Sequence, residues 1–552
     1  MTVTFTDDAD LAAKLYRTQH PLTPEEKRAY LEDGIMPIPD FKIDQQSEAD
    51  KARVTHADAL AFAREHWTFA MADNGKPIAI PRDRAEANIA RPLSGLAPAI
   101  RRKYRETHNG KAPSDAVTEA VVLELADEVA EAEPIPLALR AAAHGDGYVI
   151  DLGTADGDYV KVAANRWDVY TPAFTSDTDR PIFRRPRAFS ALPIPERGGS
   201  RDELAELLAL DPDSQEFRVV WGWLVNVFRE DIVRPALLLT GNPGSGKTTR
   251  AECIVNLIDP VTALHSGMGH SREDDIMHAN ARYVFTDDNQ GTVSKSTSDW
   301  FCTLITGGAM TKRALYTDDE ALTLSIRRTA VLTSIVPPLG FGADAVQRMV
   351  RVEFAPFEDG ERRSERELRD ALAEARPRII GAVLSDLATV LAGLSDVPTP
   401  RDASRTVDYE RGLIALDNAE GYDEGNGYRG AYRAAMVSAL SEQATEDPIY
   451  EPILKVLKLY GGTFEGTAAE LLAALDKYKP SEHERAWPTS PRGLTGILGK
   501  LYEPLKAAGI VYTPSRRSHG KSLLKLASVV PLAPADEAAE LGPAAVVGAR
   551  IL

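Results

Sequence analysis

A glycine-rich turn over residues 241–248 carries the pattern GxxxxGK[ST], which is typical of proteins that bind nucleoside triphosphates. Backbone N–H groups in such a turn converge on the β-phosphate, Lys247 neutralises charge on the β- and γ-phosphates, and Thr248 offers a hydroxyl ligand to Mg²⁺. The apolar run Ala236 to Leu239 precedes the turn and a helix-compatible stretch follows it. We predict a site for ATP and Mg²⁺ whose nucleotide contacts are Gly241, Asn242, Pro243, Gly244, Ser245, Gly246, Lys247, Thr248 and Thr249.

Two carboxylates end a second apolar strand, Tyr283 to Thr286, and supply a candidate metal site. In ATPases a carboxylate at this place holds the Mg²⁺ shell, and a neighbouring residue orients the attacking water. Two registers fit the sequence. Either Asp287 holds the metal and Asp288 acts as the base, or Asp288 holds the metal and Asn289 positions the water.

Two later segments could complete a hydrolytic site. A third apolar strand, Arg328 to Ile335, ends in small polar residues, one of which could reach the γ-phosphate or its attacking water. The segment Asp344 to Phe354 then places arginines just before a strand. Such an arginine can cross a subunit boundary and stabilise transition-state charge, an effect worth up to about 10³–10⁵ in rate. An ion pair within the chain is the alternative role.

The pattern of helices and strands along the sequence predicts a multidomain α/β protein that holds these residues in place. Short strands are expected at Tyr148–Leu152, Tyr159–Val162 and Trp167–Tyr170. The predicted segments are 1–140, mainly helical; 141–200, small and β-rich; 201–360, the ATPase core; 361–447, helical; 448–528, a compact C-terminal unit; and 529–552, an Ala/Pro-rich mobile tail.

Composition and charge limit the class of protein. The 552 residues have a formal net charge of −18, which argues against a chain coated in nucleic acid but leaves room for a local basic surface. Cys253 and Cys302 lack CxxC partners, which excludes a zinc knuckle and a disulfide framework. Neither a signal peptide nor a long uncharged apolar run is seen, so we expect a cytoplasmic protein without a membrane partner.

The C-terminal unit combines helices with a basic hairpin. Three helical patterns, the last over Pro491 to Lys506, precede two strands around residues 513–521. Three helices and a β-hairpin describe a winged helix, which could bind DNA or dock a protein. The DNA contacts expected here are Arg492 on the third helix, and Arg516, Arg517 and Lys521 on the wing.

The run from Gly241 to Arg348 resembles the helicase-like AAA+ ATPases of phages and mobile elements. These are relatives of the superfamily 3 helicases and often occur in primase–helicase replication proteins. The specific part of the resemblance is the ordered set Thr306-Gly307-Gly308, Tyr316-Thr317-Asp318-Asp319 and Gln347-Arg348. The similarity extends over residues 100 to 528.

This resemblance implies roles for single residues. Asp288 matches the metal-site Asp of the family's Asp-Asn pair, Thr333 falls at the sensor position and Arg348 at the arginine-finger position. Thr333 stands where Asn is usual, and Gln347 stands where an acid often precedes the finger. Both departures bear on the rate of hydrolysis more than on nucleotide binding.

The resemblance also implies a hairpin between Lys312 and Ile326 that projects into the channel of a ring. Lys312 and Arg313 would then contact DNA phosphates without regard to sequence. The acidic run Asp318-Asp319-Glu320 at the tip of such a hairpin would face DNA with negative charge. A hairpin that contacts the neighbouring subunit is therefore the alternative.

The function expected from these features is that of an ATP-driven, ring-forming DNA helicase or translocase, most simply a hexamer acting on single-stranded or forked DNA. A protein remodeller or loader and a nucleotide-gated DNA-binding initiator are the alternatives. The chain lacks the constellation of a primase, so a separate primase or other replication proteins would be partners. His265, His270 and His278 lack metal spacing and are interpreted as solvated loop residues.

Overall fold

The computed structural model describes residues 53–83, 86, 88–175, 180–265, 267–288, 292–313, 321–335, 340–357, 363–480, 487–518 and 521–529. Asn289, the acidic run 318–320 and the predicted tail from residue 530 onward lie outside the described residues. Lys312, Arg313, Arg516, Arg517 and Lys521 are described by their backbone alone.

Residues 53–140 form a mixed α/β unit, in which three short strands that the helical prediction omits accompany three helices. Asn74-Gly75 turns a hairpin in which Gly75 has a φ of 71°, and this dipeptide is a signal from which the strands could have been found. The elements are α1 (His56–His66), β1 (Trp67–Met71), β2 (Pro77–Pro81), β3 (Ile89–Pro92), α2 (Ala97–Thr107) and α3 (Asp115–Glu128).

The next segment contains the predicted strands and one more. It is an antiparallel meander of β4 (Ala141–His144), β5 (Gly147–Asp151), β6 (Tyr159–Ala163) and β7 (Arg166–Tyr170). The two-residue strand β8 (Phe183–Arg184) follows the meander in the chain and pairs with β3 of the N-terminal sheet. The β-rich segment is therefore joined to the N-terminal unit.

The core is built on a four-stranded parallel sheet with the strand order β10-β13-β9-β14. β9, β10 and β13 are buried along their whole length, as expected for a parallel sheet covered on both faces. The elements are α4 (Arg201–Leu208), α5 (Gln215–Asn226), β9 (Ala236–Gly241), α6 (Lys247–Asn256), α7 (Arg272–Ala281), β10 (Val284–Asp287), α8 (Lys295–Thr306), β11 (Gly308–Arg313), β12 (Ala321–Ile326), β13 (Thr329–Ser334), α9 (Ala343–Val346) and β14 (Met349–Phe354). β11 and β12 form an antiparallel hairpin beside this sheet, where a hairpin is predicted.

Three helices follow: α10 (Glu365–Gly393), α11 (Val407–Glu420) and α12 (Tyr428–Thr445). By length and composition α10, with the turn that extends it to Asp396, could cross a membrane, but half of its apolar window is buried inside the protein. It packs against the meander, where Trp167 Nε1 donates to Ser385 Oγ at 3.0 Å. Its apolar residues therefore belong to the main core.

The C-terminal unit has its own apolar core and a three-stranded antiparallel sheet with the order β15-β17-β16. The helix predicted over Pro491 to Lys506 is interrupted at Leu501. Pro504 explains this, because its ring cannot donate to the carbonyl of Lys500 and clashes with it. The elements are α13 (Tyr450–Leu459), β15 (Thr463–Thr467), α14 (Ala468–Leu475), α15 (Pro491–Lys500), α16 (Tyr502–Ala507), β16 (Ile510–Ser518) and β17 (Lys521–Ser528).

Candidate nucleotide site and nucleic-acid surfaces

The glycine turn joins the end of β9 to the start of α6. Gly241, Gly244 and Gly246 have φ values of 152°, 86° and 71°. A Cβ on Gly241 would lie 2.5 Å from the carbonyl oxygen of Phe354, and one on Gly246 would lie 2.8 Å from the ring of Phe357. Glycine is therefore required at both positions by backbone conformation and by space.

The amino end of α6 presents free polar groups to this turn. Gly246 caps the helix without a side-chain hydrogen bond, so the first N–H groups remain available for an anion. Lys247 opens the helix and is 8% exposed. The buried Ser245 hydroxyl has no hydrogen-bond partner within the described residues. A phosphate oxygen would satisfy these donors.

Three side chains meet where β9, β10 and β13 end. The hydroxyl of Thr248 lies 3.4 and 3.5 Å from the two carboxylate oxygens of Asp288, and the Thr333 hydroxyl donates to the same carboxylate. Neighbouring oxygen ligands of an octahedral Mg²⁺ lie about 3 Å apart, because each metal–oxygen bond is about 2.1 Å. Thr248 and Asp288 are thus spaced to share one hydrated Mg²⁺.

Asp287, the neighbour of Asp288, has a different environment. Its carboxylate is fully buried and accepts hydrogen bonds from the backbone of Gly267 at 2.9 Å and of Met268 at 3.1 Å. Burial raises the pKa of Asp287 to about 6, although these two bonds lower it. The geometry therefore favours the register in which Asp288 holds the metal, and Asp287 fixes the loop beside it.

The histidines near this loop support the strand end. His278 Nε2 accepts from the backbone N–H of Thr286 at 3.2 Å, and its ring stacks on that of His265 with centroids 4.3 Å apart. Burial, followed by the charge of His265, lowers the pKa of His278 to about 3. The interpretation of His278 as a solvated loop residue was therefore wrong. The described residues hold no group of three metal-binding side chains.

A cavity of about 380 Å³ opens beside the glycine turn, next to Gly246 and Thr249. The guanidinium of Arg250 lies 4.4 Å from the ring centroid of Phe354 and 4.3 Å from that of Phe357, and it donates to the carbonyl of Ser245. The apolar side chains lining the cavity are Leu207, Phe357 and Leu368. Sequence reasoning missed these residues because they come from distant segments without a local motif.

Arg348 lies at the opposite edge of the parallel sheet. The strand register pairs Met349 with Ala236 and Phe354 with Gly241, so about 17 Å of strand separates Arg348 from the glycine turn. Its side chain, 12% exposed, forms an ion pair of 2.7 Å with Asp344. Arg405 also pairs with Asp344 and donates to Gln347 Oε1 at 2.6 Å. Arg348 cannot reach the turn of its own chain.

The residues predicted to contact DNA fall in three places. Lys312 and Arg313 end β11, and Arg492 is exposed at the start of α15. Arg516 and Arg517 lie near the turn end of the β16–β17 hairpin, opposite Leu523 and Ser522, and Lys521 begins β17. The three residues of the predicted wing thus lie close together along the backbone of one hairpin. Arg492 belongs to a different element, α15.

Two family models match the chain. The model of the actinomycete integrative conjugative element replication protein matches residues 202–438. The model of the RepA C-terminal domain of these elements matches residues 450–537. Together they cover both the core and the C-terminal unit. No curated protein matches the chain.

Solved structures also match, at low TM-scores. The apo structure of the NrS-1 C-terminal region (305–718) has 10% identity and a TM-score of 0.35, and the match covers 85% of this chain and 99% of that one. The X-ray structure of JCV helicase has 15% identity and a TM-score of 0.21, with 40% of this chain and 61% of that one covered. The family assignment rests on the two family models.

Proposed function

We propose that the chain, which matches the two family models of actinomycete integrative conjugative element replication proteins, is an ATP-dependent, ring-forming DNA helicase or translocase. The observation that carries the proposal is the meeting of Thr248, Asp288 and Thr333 beside the glycine turn. It is the arrangement needed to hold Mg²⁺ against a bound triphosphate.

In this proposal the core is a P-loop ATPase of the AAA+ type. Lys247 and the free N–H groups of α6 bind the β- and γ-phosphates, and Thr248 and Asp288 hold Mg²⁺. Thr333 positions the Asp288 carboxylate through its hydrogen bond. The predicted role of Asn289 in positioning water remains part of the proposal.

The cavity beside the turn is assigned to the nucleobase and ribose. It adjoins Thr249, one turn from the phosphate-binding end of α6, and Leu207 and Phe357 give it apolar walls. Such walls suit a planar base, which gains from stacking and from removal of apolar surface from water. This placement leaves the triphosphate directed at Lys247.

Arg348 is proposed to act on the nucleotide of a neighbouring subunit. In one chain it lies about 17 Å along the sheet from the glycine turn, so the hydrolytic site is incomplete without a partner. A closed ring supplies one arginine to every site. A hexamer is the ring size proposed from the resemblance to superfamily 3 helicases.

Two surfaces are proposed for DNA. The β11–β12 hairpin carries Lys312 and Arg313 and would line the channel of the ring. The C-terminal unit has the order helix, strand, helix, helix, helix, strand, strand. If α15 and α16 are taken as one interrupted helix, this is the order of a winged helix with the β16–β17 hairpin as its wing. Arg492, Arg516, Arg517 and Lys521 would contact phosphates. A cytoplasmic location and a separate primase complete the proposal.

The experiment measures ATP hydrolysis with and without single-stranded and forked DNA, unwinding of the fork, and solution mass with a slow ATP analogue. We expect stimulation by DNA, ATP-dependent unwinding and a closed oligomer. Hydrolysis without unwinding, stimulated by a protein partner, would favour a remodeller. Salt-dependent DNA binding with negligible hydrolysis would favour a nucleotide-gated initiator.

The wing is tested separately by replacing Arg516, Arg517 and Lys521 with alanine. Each lost phosphate contact should reduce the slope of log affinity against log salt by about one, while basal ATP hydrolysis stays intact. Unchanged affinity and slope would make the C-terminal unit a protein-docking module instead.

A further inference from the structure

Charge is strongly segregated in the N-terminal unit, to which neither family model extends. Residues 101–111, which include the end of α2, carry five cations and one acid, Glu106. Residues 115–133, which include α3, carry seven acids and no Lys or Arg. The cations are Arg101, Arg102, Lys103, Arg105 and Lys111. In a chain with a net charge of −18, this basic segment is a local exception.

One face of α2 is fixed in the core of the unit. Ile100 is fully buried and Tyr104 is 8% exposed. The Tyr104 ring contacts that of Phe62 on α1 at a centroid distance of 4.8 Å. Because this face is held by packing, the remaining face of α2 has a fixed orientation and presents its cations to solvent.

Three of the acids in residues 115–133 form ion pairs, and one of these three pairs with a cation of α2. Glu124 lies 3.3 Å from His56 Nε2, Glu128 pairs with Arg64, and Asp115 pairs with Arg101. These contacts neutralise the inner cation of α2 but leave the outer ones.

Within the described residues Arg102 and Arg105 are exposed and form no ion pair. Lys103 lies over the Trp67 ring, with its Nζ 5.6 Å from the centroid. Arg102, Lys103 and Arg105 therefore form a surface of net positive charge on a packed helix, with Glu106 as the one acid among them, and we call it the α2 face.

We propose that the α2 face is a further DNA-binding surface that contacts backbone phosphates without sequence preference. Three cations close together on one helix attract a polyanion, and guanidinium groups bind phosphate in a bidentate way. The α2 face goes beyond the proposed ATPase and wing, because it lies in a different unit and needs neither nucleotide nor the C-terminal hairpin.

The test uses the full chain with Arg102, Lys103 and Arg105 changed to alanine. DNA binding is measured against salt with a duplex and with a fork. Loss of three phosphate contacts should reduce the salt slope by about three and weaken binding by about 10²-fold at 0.1 M salt. Because Lys103 also lies over the ring of Trp67, the double variant Arg102→Ala/Arg105→Ala, which keeps that contact, is measured beside it and should reduce the salt slope by about two with an unchanged thermal midpoint of unfolding.

A matched control removes the same charge elsewhere. Lys76, Arg166 and Arg187 are exposed and belong to three different segments, and their change to alanine should leave the slope nearly intact. Both triple variants are also measured in a chain with the wing substitutions, so that failure of the wing leaves the effect of the α2 face readable. Equal losses in variant and control, or an unchanged slope in the α2 variant, would overturn the proposal. An unchanged slope would assign the α2 face to an acidic protein partner.

Discussion

The two edges of the parallel sheet hold complementary halves of the proposed hydrolytic machinery. At the carboxyl edge the glycine turn, Asp288 and Thr333 meet within hydrogen-bond distance. At the amino edge Arg348 is held by Asp344, which also pairs with the half-exposed Arg405. About 17 Å of strand lies between these edges.

This difference follows from the geometry of a parallel sheet. Parallel strands that run side by side end at one edge, so polar residues after each strand are brought together there without further contacts. Residues before the strands collect at the other edge and cannot join them within one chain. The fold alone therefore brings the polar residues of the carboxyl edge together, whereas the proposed function requires the amino edge to offer its cation to a second chain.

The largest effect is expected at the carboxyl edge from Lys247→Ala. The triphosphate loses the cation nearest to its developing charge, so ATP turnover should fall by more than about 10³-fold. Steady-state hydrolysis of purified protein is the measurement, and Lys76→Ala, at an exposed lysine in the β1–β2 turn, is the control. Undiminished turnover in the Lys247 variant would remove the nucleotide site from the proposal.

Arg348→Ala tests the amino edge and should lower turnover by about 10³-fold if the arginine acts across a subunit boundary. Mixing this variant with Lys247→Ala should restore part of the activity, since an intact turn can then face an intact arginine. Arg351, which pairs with Glu353 and Glu442 in its own chain, provides the control, and Arg351→Ala should have a much smaller effect. A fully active, strictly monomeric protein would contradict the division of the site between two chains.

Substitutions of the two neighbouring carboxylates, Asp287 and Asp288, test which of them holds the metal at the carboxyl edge. Asp288→Ala should lower turnover by about 10²-fold or more through loss of a Mg²⁺ ligand, whereas Asp287→Asn keeps the oxygen that accepts from Gly267 and Met268 and should retain most activity. Hydrolysis is followed over a range of Mg²⁺ concentrations. A greater loss from the Asp287 substitution would mean that the other register holds the metal.

The smallest effect is expected in the pH dependence of the free energy of unfolding. The pKa of Asp287 is raised to about 6, so the folded protein holds this proton more tightly than the unfolded chain. The resulting stability is fully present below about pH 4 and is lost as the pH rises through about 6. At roughly 1.4 kcal/mol per pKa unit the change is about 3 kcal/mol.

Urea unfolding at pH 5 and 7.5 measures the part of this contribution that is lost between these two values, about 1.4 kcal/mol. The variant Asp287→Asn cannot ionise here, so it should lose less stability than the wild type between these two pH values. The same pH dependence in both proteins would show that Asp287 does not titrate in this range.

Local patterns in the sequence were enough for several elements. The strand, glycine turn and helix around Lys247 have fixed spacing, and the meander strands are marked by apolar residues between Gly/Asp turns. Asn74-Gly75 is a local signal of the same kind for the hairpin of β1 and β2. Elements of this kind depend on neighbouring residues in the chain, so their positions follow from the sequence.

Local sequence patterns are enough to recognise a phosphate-binding turn, a strand ending in two carboxylates and an arginine before a later strand. Which carboxylate faces Thr248, and at which edge of the sheet Arg348 lies, depends on how the strands pack together. Successive residues of a strand point to opposite sides, so a shift of one residue exchanges Asp287 with Asp288. That choice is made by packing against Gly267, Met268 and β13, which no local pattern contains.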